Sequence, residues 1–392
     1  MHKMMKYRVP SGSKKGRTFS YMMFFYCFAM ALIAPVLPNY FKNITGSEEY
    51  VGFLFSITAL VAMLSGFVVS RVLHKISRFR LLYSGILGMA MVFLVYYFAR
   101  WSGILILAQI LKGFSVASLF VVIPLMVRDY TDEKSLSQEE GIYYWYINLA
   151  WILGPLTGGV LTYLLWDNAV FLFSAAVMFF AVWFLGHKNI IDVSRIKNEE
   201  RSSLVKNFKR FFSNIYFLKA YLVDLGLNVW WSVATMVVPL YLVANGFSEL
   251  FVGFVMGAKL IPLLLLEKRV GNHVKDGFLG INIRRGFAIM VTAMAALAIV
   301  DNVYFSIAMF FCVSTGAAFI EPVKETYLFK HMRKDQEDEL FPIYSTARQV
   351  GFLIGPVTAG FAIVELGYTG LYLLMACSLL PMVLIGHLIY KE

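Results

Sequence analysis

The chain has 392 residues, 59% of them apolar and only 15% charged, with a formal net charge of +11 and a mean hydropathy of +0.69. Soluble domains average roughly half apolar and a quarter charged, so this composition excludes an ordinary soluble enzyme or binding module and indicates a polytopic membrane protein. The basic balance raises a nucleic-acid partner, but 30 of the 35 Lys and Arg fall in the N-terminus and alternate loops, two (Lys42, Arg100) in the other loops and three in membrane interiors; that asymmetry is the positive-inside rule, which excludes nucleic acid and predicts a multi-pass protein of the cell membrane with both termini cytoplasmic.

Residues 1–18 are polar and basic, without hydrophobic periodicity, and read as a cytoplasmic tail. Twelve apolar stretches follow, each at or near the length of about 20 residues that a helix needs to cross the hydrocarbon core. The first six, 19–41, 51–73, 81–99, 104–127, 142–165 and 169–186, make an N-terminal bundle over 19–187. The first is long and has no small-x-small cleavage site, so it is a span and not a signal peptide. Pro35 and Pro38 bend it, which places it among the inner helices, where neighbours satisfy the freed carbonyls. A linker over 188–217 contains Leu204–Phe212, basic with apolar residues at helical spacing, and predicts an amphipathic helix lying on the inner leaflet. The second six spans, 218–244, 250–266, 286–300, 304–328, 341–364 and 369–390, make a C-terminal bundle over 218–392. Trp101 and Trp166 read as outer interfacial anchors.

Cys27, Cys312 and Cys377 all fall within spans and give neither a disulfide framework nor metal spacing. The six histidines are scattered, and there is no nucleophile elbow or phosphate loop, so no enzymatic activity, metal or cofactor is expected.

One stretch occurs twice: Ala150-Trp-Ile-Leu-Gly154-Pro155-Leu-Thr-Gly158-Gly159 and Gly351-Phe-Leu-Ile-Gly355-Pro356-Val-Thr-Ala359-Gly360. Gly355 follows Gly154 by 201 residues, and the same shift carries Pro38 onto Pro239, Tyr40 onto Tyr241 and Val51-Gly52-Phe53 onto Val252-Gly253-Phe254. The chain therefore reads as two related halves. Small residues every fourth position give each copy a stripe where another backbone can approach closely.

The turn between spans two and three, Ser70-Arg71-Val-Leu-His74-Lys75-Ile-Ser77-Arg78-Phe-Arg80, resembles a degraded form of the Gly-x-x-x-Asp-Arg-x-Gly-Arg-x-Arg signature of the major facilitator superfamily. His74 stands where the family has Asp, and the equivalent turn in the second half carries Lys275 and Asp276. In the family this turn gates the cytoplasmic side by charge pairing, here through Lys75, Arg78 and Arg80; a plain basic loop is the alternative. Gln109-Ile-Leu-Lys112-Gly113 is similar to the family's Arg-x-x-Gln-Gly motif, with Lys112 one turn on from the missing arginine. The Gly-Pro stretch, Gly154, Pro155, Gly158 and Gly159, resembles the antiporter motif of the family's twelve-span drug:proton antiporters, as Pro35-Val-Leu-Pro38 resembles their first-span motif. The resemblance implies an all-α membrane protein of twelve helices in two pseudo-symmetric six-helix bundles. Because Gly351, Gly355, Pro356 and Gly360 repeat the stretch, packing or hinge use stands beside the antiporter meaning.

A charge within a bilayer costs roughly 2.5 to 3.5 kcal/mol on the insertion scale, so each embedded one is a functional candidate. Five qualify: Lys112, Asp224, Lys259, Glu321 and Arg348, on spans four, seven, eight, ten and eleven. None lies on the spans that the family uses as outer scaffold. Lys112 and Lys259 sit nearer mid-span, where substrate sites lie. Arg348 is expected to pair with Glu321, Asp224 or both, either as a structural ion pair or as a proton-coupling site. Asn228 and Trp231 share a helix face with Asp224 and, with Gln109, Asn148 and Tyr26, are expected to line the cavity.

The resemblance implies a secondary transporter working by alternating access, with proton-coupled export of amphipathic small molecules as the preferred reading. Transport of a small organic anion, bound by Lys112 and Lys259, is the alternative, and a non-transporting permease-like sensor or scaffold is the alternative of another class. The expected partners are a small-molecule substrate, protons or another coupling ion, and the lipid bilayer, with the chain acting as a monomer.

Overall fold

The computed structural model describes residues 16–72, 76–131, 135–166, 168–188, 204–273 and 278–390. The tail to residue 15, His74 and Lys75, Lys275 and Asp276, and linker residues 189–203 lie outside the described residues. The N-terminal half comprises α1 (Gly16–Ile33), α2 (Leu37–Thr45), α3 (Glu48–Val72), α4 (Arg78–Phe98), α5 (Ser102–Asp129), α6 (Leu136–Leu164) and α7 (Ala169–His187). The linker forms α8 (Leu204–Phe212), where the amphipathic segment is read from sequence. The C-terminal half comprises α9 (Ile215–Ala244), α10 (Glu249–Ala258), α11 (Ile261–His273), α12 (Leu279–Ile299), α13 (Val303–His331), α14 (Glu337–Tyr344) and α15 (Thr346–Tyr390).

Among the described residues, eleven helical stretches are long and apolar enough to cross a membrane, and the last of them contains two spans joined at Gly367. Gly367 has φ 67°, a left-handed conformation open to glycine without strain, and turns the chain back between spans eleven and twelve. The first span is broken at Ala34–Val36, around Pro35, into α1 and α2. The eighth is broken at Lys259 and Leu260, between α10 and α11, a site at which sequence reading expects a continuous helix. Pro262 lies in the first turn of α11, where its missing N–H costs nothing, and its ring cannot continue the preceding turn.

The two halves obey the shift of 201 residues in their backbones. Glu48 and Glu249 open α3 and α10, α4 spans Arg78–Phe98 as α12 spans Leu279–Ile299, and Ser102 and Val303 open α5 and α13. Each half has its own core, around Phe19, Phe93 and Phe171 in the first and Phe287, Phe310 and Tyr372 in the second. Between lipid-solvated helices packing comes from close approach, not from expulsion of water, so small residues mark the tight contacts.

These contacts divide the repeated Gly-Pro stretch by face. Gly154 and Gly158 lie against Ala31 and Leu32 of α1, within their own half, and Gly351 and Gly355 lie against Asn228 and Ser232 of α9, within theirs. The opposite face meets the other half. The Pro155 carbonyl abuts Gly253 of α10 so closely that a methyl there would collide with it, and the Pro356 carbonyl abuts Gly52 of α3 in the same way. A Cβ at Gly159 would stand 2.8 Å from the Glu249 carbonyl oxygen, and one at Gly360 2.6 Å from that of Glu48.

All of these contacts between halves lie at the face opposite the chain ends, called the distal face below. Asn39 adds a buried hydrogen bond there, its side-chain amide donating to the Pro239 carbonyl at 3.2 Å. Ser56 donates to the Leu353 carbonyl at 2.6 Å. Toward the other face, which bears the chain ends, Tyr144 of α6 is 58% exposed although it lies within Coulombic range of Lys324, Glu325 and Arg348 of the second half. The protein is thus closed at the distal face and parted at the terminal one.

Candidate functional site

The C-terminal half gathers its charges on α9 and α13. Lys324 Nζ lies 2.8 Å from Asp224 Oδ1 and 2.8 Å from Glu321 Oε2, so one ammonium serves two carboxylates. Lys324 reaches Glu321 because residues three apart share a helix face. Trp231 Nε1 donates to Glu321 Oε1 at 2.9 Å, and Asn228 Nδ2 donates to Asp224 Oδ1 at 3.0 Å. Asp224, Asn228 and Trp231 do share one face of α9, and that face looks at α13. A third carboxylate, Glu325, lies within Coulombic range of all three charges. With Asp224 and Lys324 nearly enclosed, the cluster holds more carboxylates than cations.

Arg348 is not part of this cluster, contrary to the pairing expected from sequence. Its guanidinium lies over the Phe120 ring of α5, 4.6 Å from the centroid, with Phe352 at 5.8 Å, and it forms no ion pair with Asp224 or Glu321. Phe120 belongs to the other half, so this cation–π contact bridges the two. Tyr26 packs edge-on against the same Phe120 ring, at 5.7 Å. Arg348, Phe120 and the buried Tyr26 therefore form a cationic and aromatic group that joins the two halves. The residue missed by sequence reading is Lys324: it lies close to the expected end of span ten and reads as a charge reaching for the interface.

Lys112 and Gln109 lie elsewhere, inside the N-terminal half. Lys112 is 4% exposed, with Nζ 6.0 Å from the ring centroids of both Phe55 on α3 and Tyr96 on α4. Gln109 Oε1 accepts from Thr58 Oγ1 at 2.6 Å and from Tyr96 OH at 2.9 Å, while its Nε2 has no partner among the described residues. Lys259, also 4% exposed, sits at the break between α10 and α11. Both lysines are thus buried. Asn148 lines a small gap with Ile152, Leu260, Leu263 and Leu264 at the α6–α11 contact. In the basic turn, Arg78 pairs with Asp129 at the end of α5, within its own half, and Arg80 is exposed.

The groups that the structure brings together are therefore Asp224, Asn228, Trp231, Glu321 and Lys324 in one cluster of the C-terminal half, and Arg348 of that half with Phe120 and Tyr26 of the other. No group of three or more His, Cys, Asp or Glu among the described residues is arranged to hold a metal ion.

Comparisons with known proteins match this architecture. The chain is 23% identical over 331 residues to the proton-coupled antiporter flippase LtaA of Staphylococcus epidermidis, covering 82% of this chain and 81% of the relative. It is 21% identical over 337 residues to the protein of the same name from Staphylococcus aureus, again covering 82% and 81%. Among solved structures, the nucleoside transporter NupG superposes with a TM-score of 0.80 at 12% identity, over 97% of this chain and all of that one. A bacterial homolog of the human lysosomal transporter Spinster, in an inward-facing and occupied conformation, gives 0.74 at 13%, over 97% and 96%. The sequence profile of the Major Facilitator Superfamily matches residues 19–266. With twelve spans in two halves related by a constant shift, this chain belongs to the Major Facilitator Superfamily.

Proposed function

We propose that this protein is a proton-coupled antiporter that exports amphipathic small molecules, with Asp224, Glu321 and Lys324 as its coupling site. The observation that carries the reading is the shared ammonium: one cation at 2.8 Å from each of two carboxylates leaves one negative charge unbalanced in a site of low dielectric. A proton arriving there removes that charge, and its departure restores it. The naming of the Staphylococcus relatives as proton-coupled antiporter flippases supports both the coupling ion and an amphipathic cargo.

The charge asymmetry of the loops orients the terminal face to the cytoplasm. The parted state is then open to the cytoplasm, with the distal face closed by the Pro155–Gly253 and Pro356–Gly52 contacts. Cargo enters from the cytoplasmic side and displaces the proton. Reclosure at the terminal face brings Tyr144 toward the cluster, and the outward state releases cargo and reloads the proton.

A second reading is favoured by Arg348. Its guanidinium is exposed and rests on an aromatic ring, without a carboxylate, which suits the acidic headgroup of an anionic amphipath. The buried Lys112 and Lys259 fit that role less well. Purified protein in liposomes tests both readings: a change in lumenal pH on adding ethidium, an amphipathic cation, supports cation export; a change only with an NBD-labelled anionic lysophospholipid supports the second. No pH change with either rules out both.

A further inference from the structure

Helix α8 is docked on the second half by one side only. Asn207 and Phe211 are buried and Phe208 is half-buried. Phe211 stacks on Phe217 at 5.3 Å, and Phe212 meets Tyr221 edge-on at 5.1 Å, both on α9. At about 100° per residue these buried positions occupy one sector of the helix, and the rest of its surface divides in two. Val205, 79% exposed, and Phe212, 38% exposed, form an apolar edge. Lys209, Lys206 and Arg210 form the next edge, all exposed. Arg210 is drawn toward Glu339 on α14 at 3.8 Å, whereas Lys206 and Lys209 have no acidic partner among the described residues.

A helix free in water would gain nothing from an exposed apolar edge beside an unpaired cationic one. At a membrane surface each edge has a partner: the apolar one meets the acyl boundary, and the cationic one meets lipid phosphates. α8 lies at that level, because α9 begins three residues after it and enters the bilayer directly. Ile215, 54% exposed, continues the apolar edge into the start of α9.

We infer that the Lys206 and Lys209 edge of α8 is a binding site for the headgroups of anionic phospholipids in the leaflet at the terminal face, and that their binding holds α8 against α9 and α14. The contacts beyond α8 give this consequence for transport. Tyr221, which carries the Phe212 contact, lies three residues before Asp224, and its hydroxyl is 3.3 Å from Thr346 Oγ1 at the start of α15. Lipid that orders α8 therefore steadies the inner ends of the helices that bear Asp224 and Arg348. The inference does not depend on the identity of the cargo or the coupling ion.

The test is hydrogen–deuterium exchange of residues 204–212 in the full chain, held in nanodiscs of phosphatidylcholine alone or with 30% phosphatidylglycerol. Each lysine near an anionic surface contributes enough for a several-fold effect, so the pair is expected to slow exchange about tenfold or more in the anionic discs. Lys206→Gln with Lys209→Gln should abolish the difference, and Lys206→Arg with Lys209→Arg should keep it. Inorganic phosphate added to the neutral discs should not reproduce it. Equal exchange in the two lipids, an equal response in the Gln variant, or full protection by inorganic phosphate would each overturn the inference.

Discussion

The two halves share a backbone and differ in charge at equivalent positions. Shifted by 201 residues, Asp224, Glu321, Lys324 and Arg348 fall on Met23, Phe120, Ile123 and Ile147. Every charged group of the C-terminal site thus has an apolar or aromatic counterpart in the N-terminal half. Glu321 has its counterpart in Phe120, the ring on which Arg348 rests. In the other direction, Lys112 and Gln109 answer to Val313 and Phe310 in the core of the second half. The helices repeat and the charges do not: the C-terminal half carries the ion-paired carboxylates, and the N-terminal half places Phe120 beneath Arg348. Under the proposed mechanism coupling is asymmetric, whereas the contacts at the distal face are symmetric, because both Pro carbonyls meet a glycine of the other half in the same way.

The largest expected effect comes from removing the shared cation. Lys324→Met leaves the buried Asp224 and the half-buried Glu321 without their shared partner, and breaking the buried Asp224 pair in this way costs about 3–5 kcal/mol. Thermal unfolding in detergent should show that loss, together with loss of uphill transport. Adding Asp224→Asn should recover much of the stability and none of the coupling. The Ile123 position offers the control: Ile123→Leu, at the equivalent place in the first half, should change neither by much.

Next in size is the symmetric gate. Gly159→Leu or Gly360→Leu overpacks the distal contact by about 1–3 kcal/mol, on the order of a tenfold change in the closed population. Labelling of a cysteine placed at Met236, buried at that face, should rise from the outside in both variants. Gly154→Leu and Gly355→Leu collide instead with Ala31 and Ser232 of their own half, so these should lower thermal stability more than they change accessibility. A smaller effect is expected from Phe120→Leu, which removes the ring beneath Arg348. A cation–π contact of about 0.5–2 kcal/mol corresponds to a few-fold to thirtyfold weakening of apparent cargo affinity, read from the concentration dependence of transport.

Much of this was legible in the sequence. Apolar runs of membrane length mark the spans, the constant shift marks the halves, Pro35 marks the break in the first span, and the spacing of Phe208, Phe211 and Phe212 marks α8. Asp224, Asn228 and Trp231 share a face because helical periodicity places them there. The partner of the carboxylates was not legible in the same way. A lysine one turn from a span end reads as a group reaching for water, and only the i,i+3 spacing to Glu321 signalled otherwise. The placement of Arg348 depends on how α15 is rotated against α5, a tertiary fact without a local pattern. The two faces of the Gly-Pro stretch follow equally from rotation: four-residue spacing shows that small residues line up, not which neighbour they meet.

The central claim is that the coupling proton is carried by the C-terminal cluster and not by the cation inside the N-terminal half. Uphill accumulation and gradient-free exchange of ethidium, in liposomes with an imposed pH gradient, should be compared for the native protein, Asp224→Asn with Glu321→Gln, and Lys112→Met. The account predicts that the doubly neutral variant still exchanges cargo but no longer concentrates it, whereas Lys112→Met does both. Continued accumulation by the doubly neutral variant, or its selective loss in Lys112→Met, would contradict it.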